Sequence, residues 1–198
     1  MAKILINGGK TLSGEVKISG AKNAVLPIMS ATLLCPGKFT IHNVPDLRDT
    51  RTMMQLLEIT GAKTEFNNGS INIDSTDVHN PEAPYDLVKT MRASFYVLGP
   101  LISRFGKVQV SLPGGCAWGP RPVDYHLKGL EKLGAKLDLD GGDILAEAKE
   151  LKGCDIHFEF PSVGATGNLV MASVRAKGTT RLYNSAKEPE ITQLCEFL

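Results

Sequence analysis

A segment of about 70 residues recurs along this chain, and a recurrence of that size restricts the fold to copies of one supersecondary unit packed together. Gly37-Lys38-Phe39-Thr40-Ile41-His42-Asn43 resembles Gly178-Thr179-Thr180-Arg181-Leu182-Tyr183-Asn184, and Gly106-Lys107-Val108-Gln109-Val110-Ser111 stands between them as a third copy. A second landmark has the same spacing. Thr60-Gly61-Ala62-Lys63 and Leu133-Gly134-Ala135-Lys136 each follow an amphipathic stretch and precede two short alternating runs, which are joined by Asn67-Asn68-Gly69 and by Asp140-Gly141-Gly142.

Each unit therefore reads as strand, helix, strand, helix and a two-stranded hairpin, an α/β (α+β) repeat. In the first unit the pattern predicts a strand over Glu15 to Ser19, a helix over Ala24 to Leu34, a strand over Lys38 to His42 and a helix over Thr50 to Ile59. The third unit predicts a strand over Cys154 to Phe160, a helix over Val163 to Arg175 and a strand over Thr179 to Tyr183. Its second helix opens at Pro189 with Glu190 in the first turn. The repeat requires a further hairpin beyond that helix, so the expectation is of a third unit cut short, in a sequence that is either a fragment or has its missing strands supplied from elsewhere.

The apolar fraction of 42% suits a globular core, in one ordinary domain or two small ones. A formal charge of +1, with Lys and Arg interspersed among Asp and Glu, argues against a nucleic-acid partner. The opening MAKILINGGK has no basic segment followed by an apolar stretch, and the longest apolar run ends at Ser103-Arg104, so the expectation is a cytoplasmic protein with no membrane partner. Cys35, Cys116, Cys154 and Cys195 are widely spaced, with no Cys-x-x-Cys pair and no His at metal-ligand spacing, which predicts reduced thiols and no metal. No Gly-x-Gly-x-x-Gly follows a first strand, which disfavours a dinucleotide fold.

Chemistry concentrates in two places. Leu112 to Asp124 packs a thiol (Cys116), prolines, glycines, Arg121 and Asp124 into one loop before a helix, with Pro122 suited to the entry of that helix. Asp124 also suits the helix dipole, and His126 suits either a site or a helix surface. The second place follows from the repeat. Equivalent helices stacked around an axis should present their N-termini, and the unpaired N–H groups there, to one region. Those openings are Gly20-Ala21-Lys22-Asn23, the entry Tyr85 to Arg92, and Pro161-Ser162-Val163-Gly164. Lys22 precedes an uncharged apolar helix, and Arg92 is expected within a long apolar helix whose next charge is Arg104, so each is a candidate ligand for phosphate or carboxylate, with Asp86 the alternative partner for Arg92.

The ordered set GEVKISGAKNAVLPI, APYDLVKTMRAS with LGPL, SLPGGCAWGPRPVDYH, PSVGAT and KEPEI resembles the UDP-N-acetylglucosamine 1-carboxyvinyltransferase family of enolpyruvyl transferases over essentially the whole chain. The resemblance implies an inside-out α/β barrel, two domains each of three βαβαββ units. This chain would be the amino-terminal half, with residues 1–21 a strand and linker belonging to the second domain and residues 22–198 an incomplete first domain. It implies transfer of the enolpyruvyl group of phosphoenolpyruvate to the 3-hydroxyl of UDP-N-acetylglucosamine, with no cofactor and a monomeric full-length protein.

By motif, Lys22 and Asn23 would contact phosphoenolpyruvate and Arg92 a substrate phosphate. Arg121, Pro122, Val123, Asp124, Tyr125 and His126 would hold the nucleotide sugar, and Ser162, Val163 and Gly164 its diphosphate. Cys116 would donate a proton to the methylene carbon and titrate near neutral pH. Three features depart from the family pattern. Phe160 stands where several members carry lysine, Trp118 and Tyr125 are aromatic where others are aliphatic, and the base and arginine that the family draws from its second domain are absent, so the isolated chain should have little turnover. The alternatives are a non-catalytic nucleotide-sugar or anion-binding fragment, and the shikimate-pathway enolpyruvyl transferase, whose members lack the cysteine loop with RPVD.

Overall fold

The computed structural model describes residues 3–112 and 123–198, and within them the repeat takes physical form. Helix α1 (Lys22–Ala31) continues through a 3₁₀ turn (Thr32–Leu34) into strand β1 (Lys38–Ile41), helix α2 (Arg48–Ile59) and the hairpin β2 (Lys63–Asn67) and β3 (Ser70–Asp74). The second unit comprises β4 (Glu82–Ala83), the short α3 (Tyr85–Val88), a 3₁₀ segment (Arg92–Val97), α4 (Leu98–Phe105), β5 (Lys107–Ser111), α5 (Asp124–Lys132) and the hairpin β6 (Lys136–Asp140) and β7 (Asp143–Glu147). The third contributes β8 (Asp155–His157), α6 (Val163–Ser173), β9 (Arg181–Tyr183) and α7 (Pro189–Phe197).

Strand order is β1-β3-β2 in the first sheet, β4-β5-β7-β6 in the second and β8-β9 in the third, with β4 parallel to β5 and β8 parallel to β9. Along β3, β7 and the first four residues of β5 buried residues alternate with more exposed ones, so the first two sheets each have one wetter face. The helices take the interior. From Ala24 to Ala31 every residue of α1 is buried, and α6 is buried over Ala165 to Leu169, which is the signature of a helix enclosed on all sides. This is the inside-out arrangement that the resemblance implies.

Local chemistry recurs from copy to copy. Helices α2 and α5 end in the same motif. Ala62 N donates to Leu57 O and Gly61 N to Glu58 O, as Ala135 N does to Leu130 O and Gly134 N to Glu131 O, with Gly61 at φ 103° and Gly134 at φ 100°. This is a Schellman C-cap, whose left-handed residue is naturally glycine. The hairpin turns follow suit, with Asn68 and Gly69, and Gly141 and Gly142, all at positive φ as a type I′ turn requires. Asn43 and Asn184, equivalent in the repeat, adopt φ 55° and 54°.

Two expectations are corrected. Residues 3–21 form no strand or helix, and Val16 and Ile18 are 82% and 79% exposed. The expected Glu15 to Ser19 strand has no ladder partner among the described residues, and an alternating pattern needs a partner to become a strand. The long helix carrying Arg92 is broken, because Met91 is extended at φ −146°, ψ 110°, so Arg92 instead opens the 3₁₀ segment. A second irregularity lies where the 3₁₀ segment meets α4. Gly99 N, which in a continuous helix would donate to Phe95 O, donates instead to Asn168 Oδ1 at 2.6 Å, while Asn168 Nδ2 donates to Phe95 O at 3.0 Å. A carboxamide from α6 is thus inserted into one rung of the helical ladder, and Pro100 removes the N–H of the next.

That insertion needs α4 and α6 in close approach, which Gly99 permits. A Cβ there would stand 2.3 Å from both the backbone and side-chain oxygens of Asn168. At Gly129 a Cβ would meet only the flexible end of Leu169, at 2.2 Å. Gly99→Ala is therefore expected to lower unfolding free energy by about 3 kcal/mol and Gly129→Ala by about 1 kcal/mol, as measured by chemical denaturation. Equal losses would show that the backbone contact at Gly99 is not the tighter constraint.

Candidate functional site

Helices α1, α4 and α6 run in one direction. Their C-terminal ends are tied together by two guanidinium groups. Arg104, in the last turn of α4, donates to Leu33 O at 3.2 Å, and Arg175, just past α6, donates to Leu34 O at 3.2 Å. Cations here meet the negative ends of the helices. At the opposite end a hollow of about 490 Å³ opens between the N-terminus of α1, the 3₁₀ segment before α4, and the N-terminus of α6.

The residues expected from the helix openings meet in this hollow. Lys22 and Asn23 enter from α1, Arg92 from the 3₁₀ segment, and Ser162, Val163 and Gly164 from α6, with His126 arriving from α5. The hydroxyl of Ser162 accepts from Ala165 N at 3.3 Å and so caps α6, leaving the remaining N–H groups of its first turn to face the hollow.

The helix after the cysteine loop divides. His126 lines the hollow, but Val123, Asp124 and Tyr125 do not. Asp124 lies 3.5 Å from Lys128 one turn on, and Tyr125 packs edge-on against Phe158 with ring centroids 5.9 Å apart. Cys116, Arg121 and Pro122 lie outside the described residues, as does Trp118. Phe160, in the departure from the family pattern, is exposed.

Three further groups in or beside the hollow escaped the sequence. Asp49, in the first turn of α2, accepts from Lys22 Nζ at 2.7 Å, which holds the ammonium in place while leaving two of its hydrogens for a ligand. Tyr96 lines the wall, and burial pushes its hydroxyl up to about 12, with Glu190 adding to the rise and Arg92 opposing it. Asn168 contacts His126 from below. Its signal was present in the sequence, as an asparagine amid the apolar run of α6, where an unbonded amide would be costly.

Electrostatically the hollow favours anions. Helix N-termini, an ammonium and a guanidinium face it against the carboxylate of Asp49. His126 adds no charge. Burial pulls its pKa from 6.5 to about 3, the positive charge of Arg92 pulls the same way, and Asp124 opposes both.

The sequence model described as EPSP synthase (3-phosphoshikimate 1-carboxyvinyltransferase) matches residues 6–198. A UDP-N-acetylglucosamine 1-carboxyvinyltransferase of Chloroherpeton thalassium is 57% identical over all of this chain and 47% of its own length. The protein of the same name from Geotalea uraniireducens is 54% identical over all of this chain and 48% of its own. The chain thus spans about half the length of these curated relatives. Among solved structures, the enolpyruvyl transferase NikO from Streptomyces tendae superposes with a TM-score of 0.83 at 24% identity, over 96% of this chain and 45% of that one. An EPSP synthase from Acinetobacter baumannii gives 0.73 at 16% identity, over 90% and 42%. At those identities the likeness is one of fold.

The depressed pKa of His126 makes stability depend on pH. Between about 3 and 6.5 the unfolded chain holds a proton on this ring that the folded one refuses, so stability is full above 6.5 and falls on acidification through that window. Lowering the pH from 7 to 5 should cost about 2 kcal/mol through this residue. Denaturation of wild type and His126→Gln at both values checks it. Parallel losses in the two proteins would refute the assignment.

Proposed function

Since this chain belongs to the EPSP synthase (3-phosphoshikimate 1-carboxyvinyltransferase) family, whose model spans residues 6–198, we propose that it forms the amino-terminal half of a UDP-N-acetylglucosamine 1-carboxyvinyltransferase. The observation that carries the reading is the convergence of Lys22, Asn23, Arg92 and the N-terminus of α6 on one hollow, in a chain 57% identical to a relative of that name. The other branch, acting on a shikimate phosphate, shares the family model and the fold, but its solved member is 16% identical against 57% for the relative acting on the nucleotide sugar.

The reaction joins the sugar 3-hydroxyl to C2 of phosphoenolpyruvate while a proton is added to the methylene carbon, giving a tetrahedral adduct. Loss of that carbon's proton and of phosphate then restores the double bond. Both substrates are polyanions, and the hollow provides for them. Lys22, steadied by Asp49, offsets the negative charge on phosphoenolpyruvate and is the cation placed to stabilise it as bonds change. Asn23 adds an uncharged contact beside it. Arg92 and the first-turn N–H groups of α6 serve the diphosphate of the nucleotide sugar. Tyr96 keeps its proton throughout and closes the apolar wall.

Cys116 supplies the proton to the methylene carbon, in line with the family resemblance of its loop. Arg121, Pro122, Val123, Asp124 and Tyr125 complete the nucleotide-sugar contacts from the same loop and helix, with Val123 to Tyr125 outside the hollow as it stands. The reaction opens peptidoglycan synthesis in the cytoplasm, needs no cofactor, and is carried out by a monomer of two domains. Residues 1–21 belong to the second domain, which provides the base for the sugar hydroxyl. By itself the 198-residue chain binds the nucleotide sugar without turning it over.

Exposing the two-domain protein to fosfomycin, an epoxide that alkylates a thiol, should leave an adduct on Cys116 detectable by mass spectrometry. An unmodified Cys116 would count against its role. Lys22→Gln should lower kcat/KM for phosphoenolpyruvate by about 10- to 150-fold, the equivalent of one charge-assisted bond of roughly 1.5–3 kcal/mol. Wild-type kinetics in that variant would remove Lys22 from the mechanism.

A further inference from the structure

The hollow contains one ring whose protonation is dictated by its neighbours. Asn168, 1% exposed, and His126, 4% exposed, meet through Nδ2 and Nδ1 at 2.9 Å. The other two partners of the carboxamide fix which way it points. The Gly99 N–H can only donate, so the atom 2.6 Å from it is the oxygen; the Phe95 carbonyl can only accept, so the atom 3.0 Å from it is the nitrogen. Turning the amide over would set donor against donor and acceptor against acceptor at two buried points. Nδ2 therefore presents one hydrogen to Phe95 and the other to His126. Nδ1 of the ring accepts, and the single proton of a neutral imidazole must sit on Nε2.

Nε2 lies beside Gly164 at the N-terminus of α6. A Cβ on that residue would stand 3.4 Å from Nε2 and 3.5 Å from Cε1, so glycine leaves this edge of the ring uncovered. Phe95 holds the ring from another side, edge-on at 4.9 Å and 84°. A second proton on the ring would point an N–H at the Asn168 amide, and both burial and Arg92 oppose it while Asp124 alone favours it.

We propose that Asn168 is a positioning residue that locks His126 in its Nε2–H form, so that the imidazole offers the hollow an uncharged hydrogen-bond donor for an oxygen of the bound nucleotide sugar. The use to which the donor is put rests on the function proposed above; the tautomer does not. The division of labour is physical. Lys22 and Arg92 attract any anion, whereas a neutral donor on a ring held by Asn168 and Phe95 rewards only a ligand with an acceptor at that point.

A long-range nitrogen–proton correlation spectrum of the isotope-labelled chain at neutral pH reads the tautomer directly. The expected pattern is Nε2–H for His126. Asn168→Asp keeps the shape and the acceptor for Gly99 but replaces the donor facing Nδ1 with an acceptor, so the proton should move to Nδ1 or a second proton should be taken up. A wild-type ring protonated on Nδ1 overturns the proposal, and so does a folded Asn168→Asp variant whose ring keeps Nε2–H with Nδ1 still unprotonated. The wild-type spectrum decides even where the variant does not fold.

In the two-domain protein, added UDP-N-acetylglucosamine should shift the Nε2 proton, and Asn168→Asp should raise KM for that substrate about tenfold. If the nucleotide sugar perturbs Lys22 but not the Nε2 proton, the donor role fails and the functional reading survives. If it perturbs neither, the functional reading fails and takes the donor role with it.

Discussion

The carboxamide of Asn168 joins three elements that have no covalent reason to stay in register. It takes the N–H of Gly99 and satisfies the carbonyl of Phe95, the two groups that a continuous helix would have paired with each other, and it spends its remaining hydrogen on His126 of α5. All three bonds are buried, where an unpaired polar group is expensive, so the arrangement is close to all-or-none. The opened rung lies where the 3₁₀ segment meets α4, and Arg92 stands at the start of that segment, on the rim of the hollow. Through His126, which lines the hollow, the site is tied to bonds made in the core.

A second constraint comes from running three helices side by side in one direction. Their dipoles repel unless the charge at each end is balanced. At the C-terminal end Arg104 and Arg175 do this within the chain, by donating to the last carbonyls of the α1 segment. At the N-terminal end the side chains are Lys22 and Arg92, which add positive charge to positive ends, with Asp49 in partial compensation. Among the described residues the hollow is the end of the helix bundle that favours an anion.

What the sequence disclosed and what it hid divide along the range of the interaction. The period, the Schellman glycines Gly61 and Gly134, and the Asn68-Gly69 turn are legible because their causes lie within a few residues, in the backbone conformations that only certain side chains tolerate. The convergence of helix openings follows from the repeat itself. The inserted rung at Gly99 is not legible, since the group that enters it is 69 residues further along the chain. Asp49 was hidden for the same reason, 27 residues from the lysine it holds. His126 fits a surface or a site equally well by spacing, and only its contact with Asn168 separates the two.

The two cations in the hollow are held in different ways, and that bears on how a ligand enters. Lys22 is bonded to Asp49 at 2.7 Å, yet an ammonium has three hydrogens and its partner uses one. An arriving phosphate or carboxylate can bind Lys22 without breaking the pair, so the cost of ordering that long side chain is already met by the fold. Arg92 is placed by the broken helix, whose first turn would otherwise carry its side chain elsewhere around the axis. Positioning one cation by a carboxylate and the other by a backbone break leaves both oriented before any substrate is present. For a reaction whose transition state gathers charge on a phosphate, that preorganisation is where the fold and the proposed chemistry meet.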